Sequence, residues 1–286
     1  MKTYLECYSC LLKQSLKLSK MINCSAAQQK HILTETLNFL IKCNIDLPAP
    51  LIFEQIEKIV LKYSKNKDIY KELKKKSNDE ALELYDLLKN RITNSSSKLV
   101  TALKLSAFGN MIDFAIIDNL NLADEFKKFD YLYLNSQHIE ILAEKLENSN
   151  VLLIIGDNAG EIVFDKILIE FLKSEYPKLK IYYAVRAAAV LNDATLEDAK
   201  HIKLNQLCKV LTTGVAIAGI DLNRCSNEFL KLFNNADLII SKGQGNYETL
   251  STKIDARIFY LLKVKCEVVA KHLGVEIGRI ILTQVV

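Results

Sequence analysis

Glycine is spread unevenly along this chain, and that constrains the fold more than any other feature. Of nine glycines, only Gly109 falls in the first 155 residues; the other eight lie between 156 and 286. Glycine serves tight strand-to-helix turns, so its absence upstream reads as helices joined by polar loops. The upstream periodicity agrees. Ser25 is an N-cap for the run 25–40, where Ile32, Leu33, Leu37 and Leu40 recur at helical spacing. Pro48 and Pro50 interrupt, and 51–63 resumes with Ile52, Ile56, Ile59 and Val60. The lysine-rich stretch 62–76 reads as a solvated helix face. Further helices are expected over 79–92, 97–119 and 137–148.

From residue 150 short apolar runs alternate with helix-length segments. The runs are 151–155, 181–185, 209–211, 238–240, 258–264 and 279–282; the intervening helices are expected at 162–175, 193–202 and 227–234. Unbroken apolar runs flanked by helices are strands covered on both faces, the mark of a parallel sheet. The run 258–264 fits either a strand or a helix by period alone. The expected class is α/β: a helical N-terminal subdomain (1–149) packed on a Rossmann-like α/β/α layer (150–286) with a mainly parallel sheet.

Composition narrows the function. The 286 residues are 50% hydrophobic and 25% charged, with a formal net charge of +4, an ordinary globular profile without a nucleic-acid footprint. No apolar run approaches the roughly 20 residues of a membrane span, and the first residues lack the apolar core of a signal peptide. A cytoplasmic protein with no nucleic-acid or membrane partner is expected. Seven cysteines, an odd number, point to reduced thiols. Only Cys7 and Cys10 have metal or redox spacing, and helix packing is the commoner use of such a pair. The four histidines stand apart from one another, which argues against a histidine-based zinc hydrolase.

In an open parallel sheet, ligands bind at the carboxyl ends of the strands. Gly156-Asp157-Asn158-Ala159-Gly160-Glu161 follows the first run, Arg186 and then Asn192-Asp193 the second, and Thr212-Thr213-Gly214 the third. Ser241-Lys242-Gly243-Gln244-Gly245-Asn246-Tyr247-Glu248 follows the fourth, and Lys263, Lys265 and Cys266 follow the fifth. Acid, amide and lysine side chains thus converge on one sheet edge. Asp157, Asn158 and Asp193 offer hard oxygen ligands suited to magnesium, manganese or a similar cation. Lys242 and the neighbouring glycine amides offer positive charge to an anion. A cation, a lysine and exposed amides are what phosphoryl chemistry requires. A bland alternative has Asp157 and Asn158 capping the helix that begins near Glu161. The dinucleotide fingerprint and the Gly-Lys-Ser/Thr loop are both absent. A methyl-donor-dependent transferase and a non-catalytic metabolite- or metal-binding module remain as alternatives.

These residues resemble the metal-dependent damage-control phosphatases, a family long known as a domain of unknown function. The likeness rests on the Gly156–Glu161 motif, on Leu191-Asn192-Asp193-Ala194-Thr195 with Asp198-Ala199, and on Ser241–Glu248. Cys7-x-x-Cys10-Leu11-Leu12-Lys13-Gln14 resembles the archaeal and bacterial branch, and Gly109-Asn110 to Asp113-Phe114 and Leu261 to Cys266 are similar to two further segments. The resemblance implies a phosphatase using manganese, cobalt, nickel or magnesium on a small phosphorylated metabolite. It implies that Asp157, Asn158 and Asp193 hold the metal and act in catalysis with Lys242, which lies near the phosphate. In-line attack by water or by a carboxylate would follow. Glu161, Asn246, Asn110, Asp113 and Lys265 are implied as substrate contacts. Ala189 and Glu267 replace prolines common in the family pattern, which touches loop stiffness and not ligand chemistry.

Overall fold

The structure is a computed structural model that describes residues 1–66, 68–109, 129 and 132–285. Its first half is helical: α1 (Leu5–Met21), α2 (Ala26–Lys42), α3 (Ala49–Leu61), α4 (Lys71–Glu83), α5 (Tyr85–Thr93), α6 (Lys98–Phe108) and α7 (Ser136–Asn148). Ser25 caps α2 through a reciprocal pair: its hydroxyl accepts from the Gln28 amide, and the Gln28 side chain accepts from the Ser25 amide. The first three helices bury Leu18, Ile32, Leu40, Ile52 and Ile56 in a small core of their own. The next four send Leu88, Leu103, Phe108 and Leu142 into the core beneath the sheet.

Two helical expectations change. The segment 79–92 is not one helix, because α4 starts earlier, at Lys71, and the chain breaks at Leu84. The break lets both pieces lie against the helix after the first strand. Nor is the lysine-rich stretch uniformly solvated. Lys74 is buried, its ammonium 3.0 Å from Asp68 and 3.5 Å from Asp198. Of the expected helix 97–119, the described part is helical as far as Phe108.

The second half alternates β1 (Val151–Ile155), α8 (Glu161–Glu175), β2 (Lys180–Val185), α9 (Leu196–His201) and β3 (Lys209–Thr212). It continues with α10 (Asn227–Asn235), β4 (Leu238–Lys242), α11 (Gln244–Leu250), β5 (Ile258–Lys263), α12 (Glu267–Leu273) and β6 (Ile280–Thr283). The strand order is β3-β2-β1-β4-β5-β6, with β6 alone antiparallel to its neighbour. The ambiguous run 258–264 is therefore a strand. Apolar side chains alternate between two cores. Leu152 and Ile154 join Phe164 and Leu168 on one face; Leu153 and Ile155 join Phe229, Tyr247 and Tyr260 on the other. This two-faced burial explains why β1 reads as a continuous hydrophobic run. Among the described residues no helix is long and apolar enough to cross a membrane.

Candidate active site

The central strand β1 pairs with β2 on one side and β4 on the other, so the strand order reverses around it. A crevice opens at such a point, outside the carboxyl ends of the strands. The loop after β1 and the loop after β2 meet there. Asn158 and Asp193 form an isolated antiparallel bridge. The Ala159 amide donates to the Asn192 carbonyl at 2.9 Å, and the Ala194 amide to the Asp157 carbonyl at 2.8 Å. Residues 193–195 are therefore committed to pairing, and α9 starts only at Leu196, where Thr195 and Asp198 form a capping box. The capping reading of the first loop does not hold either. Gly160 is the N-cap of α8, at φ 77°, and no side chain caps that helix.

These backbone bonds bring Asp157, Asn158 and Asp193 together on one cavity. The Asn158 amide nitrogen donates to Asp157 Oδ2 at 2.7 Å and to Glu161 Oε2 at 3.3 Å. Two carboxylates thus orient the amide and fix which of its atoms is the oxygen, the atom that could serve as a cation ligand. Asp193 Oδ2 accepts from Arg186 Nε at 2.7 Å, so Oδ1 is the oxygen turned from that bond. Oxygen donors from two carboxylates and an amide suit a hard divalent cation. Among the described residues no cluster of three His, Cys, Asp or Glu side chains could hold a metal, and this set differs in counting an amide. Burial pushes the Asp193 carboxyl upward, against the pull of the Arg186 guanidinium. Gly243 reaches the set from β4: at φ 80°, a Cβ added there would stand 2.0 Å from Asp157 Oδ2.

Behind this surface lies a buried charged layer. Lys242, at the end of β4, is 0% exposed; its ammonium donates to Glu161 at 2.7 Å, Asp165 at 2.5 Å and the Ser106 carbonyl at 3.1 Å. Asp165 also accepts from Ser106 Oγ and from the Tyr183 hydroxyl. Burial works against the Lys242 charge, but Asp165 and Glu161 outweigh it and raise the pKa. Burial also raises Glu161 to about 7, against the attraction of Lys242. Arg186 is a further buried cation beside the cavity. It reaches Asp193, the Gly219 carbonyl at 2.9 Å and Asn246 Oδ1 at 2.8 Å, and passes 3.9 Å from Asp157. Asn246 in turn donates to the Gly156 and Lys242 carbonyls, tying the β1 and β4 loops together.

Residues 3–281 match the family described as the damage-control phosphatase ARMT1-like domain. The chain belongs to that family. It is 35% identical over 285 residues to a damage-control phosphatase of Pyrococcus horikoshii, covering 98% of this chain and 97% of that one. A damage-control phosphatase of Archaeoglobus fulgidus is 30% identical, covering 95% of each chain. A protein of Methanocaldococcus jannaschii is 37% identical over 96% of this chain and 92% of its own. A solved structure of a DUF89 family protein from Pyrococcus horikoshii superposes with a TM-score of 0.90 at 35% identity, covering 99% of both chains.

In this damage-control phosphatase family member the cavity has a volume of about 770 Å³. Of the residues nominated from sequence, Asp157, Asn158, Asp193 and Lys265 line it. Glu161, Lys242 and Asn246 do not: all three are buried behind it, their polar atoms turned to one another's neighbourhood and to backbone. The Lys242 ammonium is met there by Glu161, Asp165 and the Ser106 carbonyl, and the Asn246 amide by Arg186 and the Gly156 and Lys242 carbonyls. Asn110 and Asp113 lie outside the described residues. Lys265 is exposed at the rim, its amide donating to Gln244. The opposite wall comes from α1 and α3, including Gln14, Phe53, Cys7 and Cys10, with Cys266 from the α12 side. Burial raises the Cys7 thiol. Sequence reading missed Arg186 and Asp165 as site residues. Arg186 carried a signal in its position directly after β2; Asp165, inside α8, carried none.

Proposed function

We propose that this chain is a divalent-metal-dependent phosphatase that hydrolyses phosphate monoesters of small metabolites. The observation that carries the reading is the backbone bridge between the β1 and β2 loops, which sets Asp157, Asn158 and Asp193 on the floor of one cavity. Those three residues would hold the cation. Magnesium, manganese, cobalt or nickel bound there supplies charge neutralisation at a phosphoryl oxygen and acidifies water.

The chain's own residues do the rest. Lys265, exposed on the rim, attracts the anionic end of the ester. Arg186 fixes the orientation of Asp193 through a charge-assisted bond and holds Asn246 on the same guanidinium. Lys242 offsets the negative charge that Glu161 and Asp165 concentrate beneath the floor. Glu161 keeps Asn158 turned so that the amide oxygen is the ligand atom. The small-metabolite assignment is supported by the family membership and by relatives named as damage-control phosphatases.

The test is release of p-nitrophenol from p-nitrophenyl phosphate with Mg²⁺, Mn²⁺, Co²⁺ or Ni²⁺, before and after a chelator. Chelation is expected to abolish turnover and re-addition of metal to restore it. Asp157→Ala is expected to lose at least about 100-fold in kcat while its circular dichroism stays unchanged. Turnover indifferent to the chelator rejects the reading.

A further inference from the structure

Asn78 lies on α4, 82 residues before Gly160 and 120 before Asp198, yet its side chain touches both. It is 1% exposed. Its Oδ1 accepts from the Gly160 amide at 2.7 Å, and its Nδ2 donates to Asp198 Oδ1 at 3.0 Å. Gly160 ends the loop that carries Asp157 and Asn158, in a left-handed turn at φ 77°. Asp198 stands in the first turn of α9 and uses its other oxygen to accept from the Thr195 amide at 2.9 Å and hydroxyl at 2.7 Å, just past Asp193. The backbone bridge joins the two loops in front; the Asn78 amide joins them from behind.

We propose that Asn78 is a positioning residue that sets the separation of the Asp157–Asn158 loop from the Asp193 loop. The inference rests on the metal-dependent reading above. A carboxamide meets the requirement, since one end accepts from a backbone N–H and the other donates to a carboxylate. An aspartate at this position keeps the acceptor but sets two carboxylates against each other. A hydrocarbon of any shape leaves the Gly160 amide and an Asp198 oxygen buried without their partner, which destabilises the junction. Lys74, its ammonium 3.5 Å from Asp198, sets a cation beside the same carboxylate. Groups that orient metal ligands in this way typically matter by about 10- to 100-fold in metal affinity.

The experiment compares wild type, Asn78→Ala, Asn78→Asp and the exchange Asn78→Asp/Asp198→Asn. The exchange restores a donor facing an acceptor with the two groups traded. For each, Mn²⁺ affinity is read from the free-ion electron paramagnetic resonance signal, kcat and KM from p-nitrophenyl phosphate, and the melting temperature from chelator-treated protein. Asn78→Ala and Asn78→Asp are expected to bind Mn²⁺ about 10- to 100-fold more weakly at temperatures where each is folded, with kcat falling more than KM changes. The exchange is expected to return both within about threefold of wild type. Single variants that melt lower but bind Mn²⁺ like wild type reduce Asn78 to a structural residue and overturn the proposal. An exchange that binds no better than Asn78→Asp overturns it too. Wild-type protein that binds no Mn²⁺ defeats the metal-dependent reading itself, which separates that failure from this one.

Discussion

At Gly243 the chain has no room for a single methyl group. Its φ of 80° lies where side chains are strained, and the missing Cβ would overlap the Asp157 carboxylate. Gly243→Ala therefore has two ways to relax: turn the backbone or push Asp157 away, and either disturbs the floor of the cavity. The strain is of order 1–3 kcal/mol. The expected outcome is a melting temperature lowered by a few degrees and a kcat lowered by at least about tenfold, measured on the same preparation. Wild-type turnover in that variant would detach Asp157 from the chemistry. This residue also marks what was readable at the smallest scale. Glycines and the Asp-Asn pair announce a loop after β1, because turn geometry is a local property. The direction of a long side chain is not local. Lys242 sits one residue from Gly243, and sequence alone assigned it to the phosphate; folded, its ammonium turns inward to Glu161 and Asp165. Arg186 likewise folds back under the sheet edge to reach Asp193 and Asn246.

Elements carry their own electrostatic consequence. On α3, Glu57 is buried and accepts from the Leu191 amide at 3.3 Å, so the helix supports the loop that leads into Asp193. Burial raises the Glu57 carboxyl to about 7, well above its ordinary 4.5. A carboxyl with a raised folded pKa favours folding while protonated. That contribution is complete below about pH 4.5 and is lost as the pH climbs to 7, a span worth about 3 kcal/mol. Glu57→Gln keeps the acceptor and removes the charge. In chelator-treated protein it is expected to raise the melting temperature by several degrees at pH 8 and to leave it nearly unchanged at pH 4.5; equal shifts at both would contradict the assignment. The elements themselves were largely legible, from the helical period before residue 149 and the apolar runs after it. Two features escaped for physical reasons. Leu84 breaks a helix because both pieces lie against α8, a tertiary contact with no local signature. Lys74 is buried because Asp68 and Asp198 meet it from remote segments, and lysine otherwise reads as solvated.

Across the whole molecule, the helical half and the sheet half share surfaces. Phe108, Leu142 and Leu146 belong to the same core as Leu152, Ile154 and Phe164. Glu54 of α3 pairs with both terminal nitrogens of Arg224 at 2.7 and 2.8 Å, and that pairing holds its carboxyl down at about 2. A fragment of residues 150–286 alone would strip α8 of α4, α5 and α6, the helices that pack on it. It is expected to be insoluble, or to bind a hydrophobic dye strongly and melt without a cooperative transition, whereas the full chain melts cooperatively. A soluble fragment with a sharp melt would show that the sheet layer is self-sufficient.

The backbone stitching between residues 157–159 and 192–194 has a consequence for how such proteins diversify. The floor that carries Asp157, Asn158 and Asp193 is fixed by main-chain bonds, while the walls come from α1, α3 and α12. Exchanges at Gln14, Phe53 or Cys266 can re-carve the chamber for differently shaped esters without disturbing the floor. One scaffold can thereby retarget its appetite while conserving its chemistry.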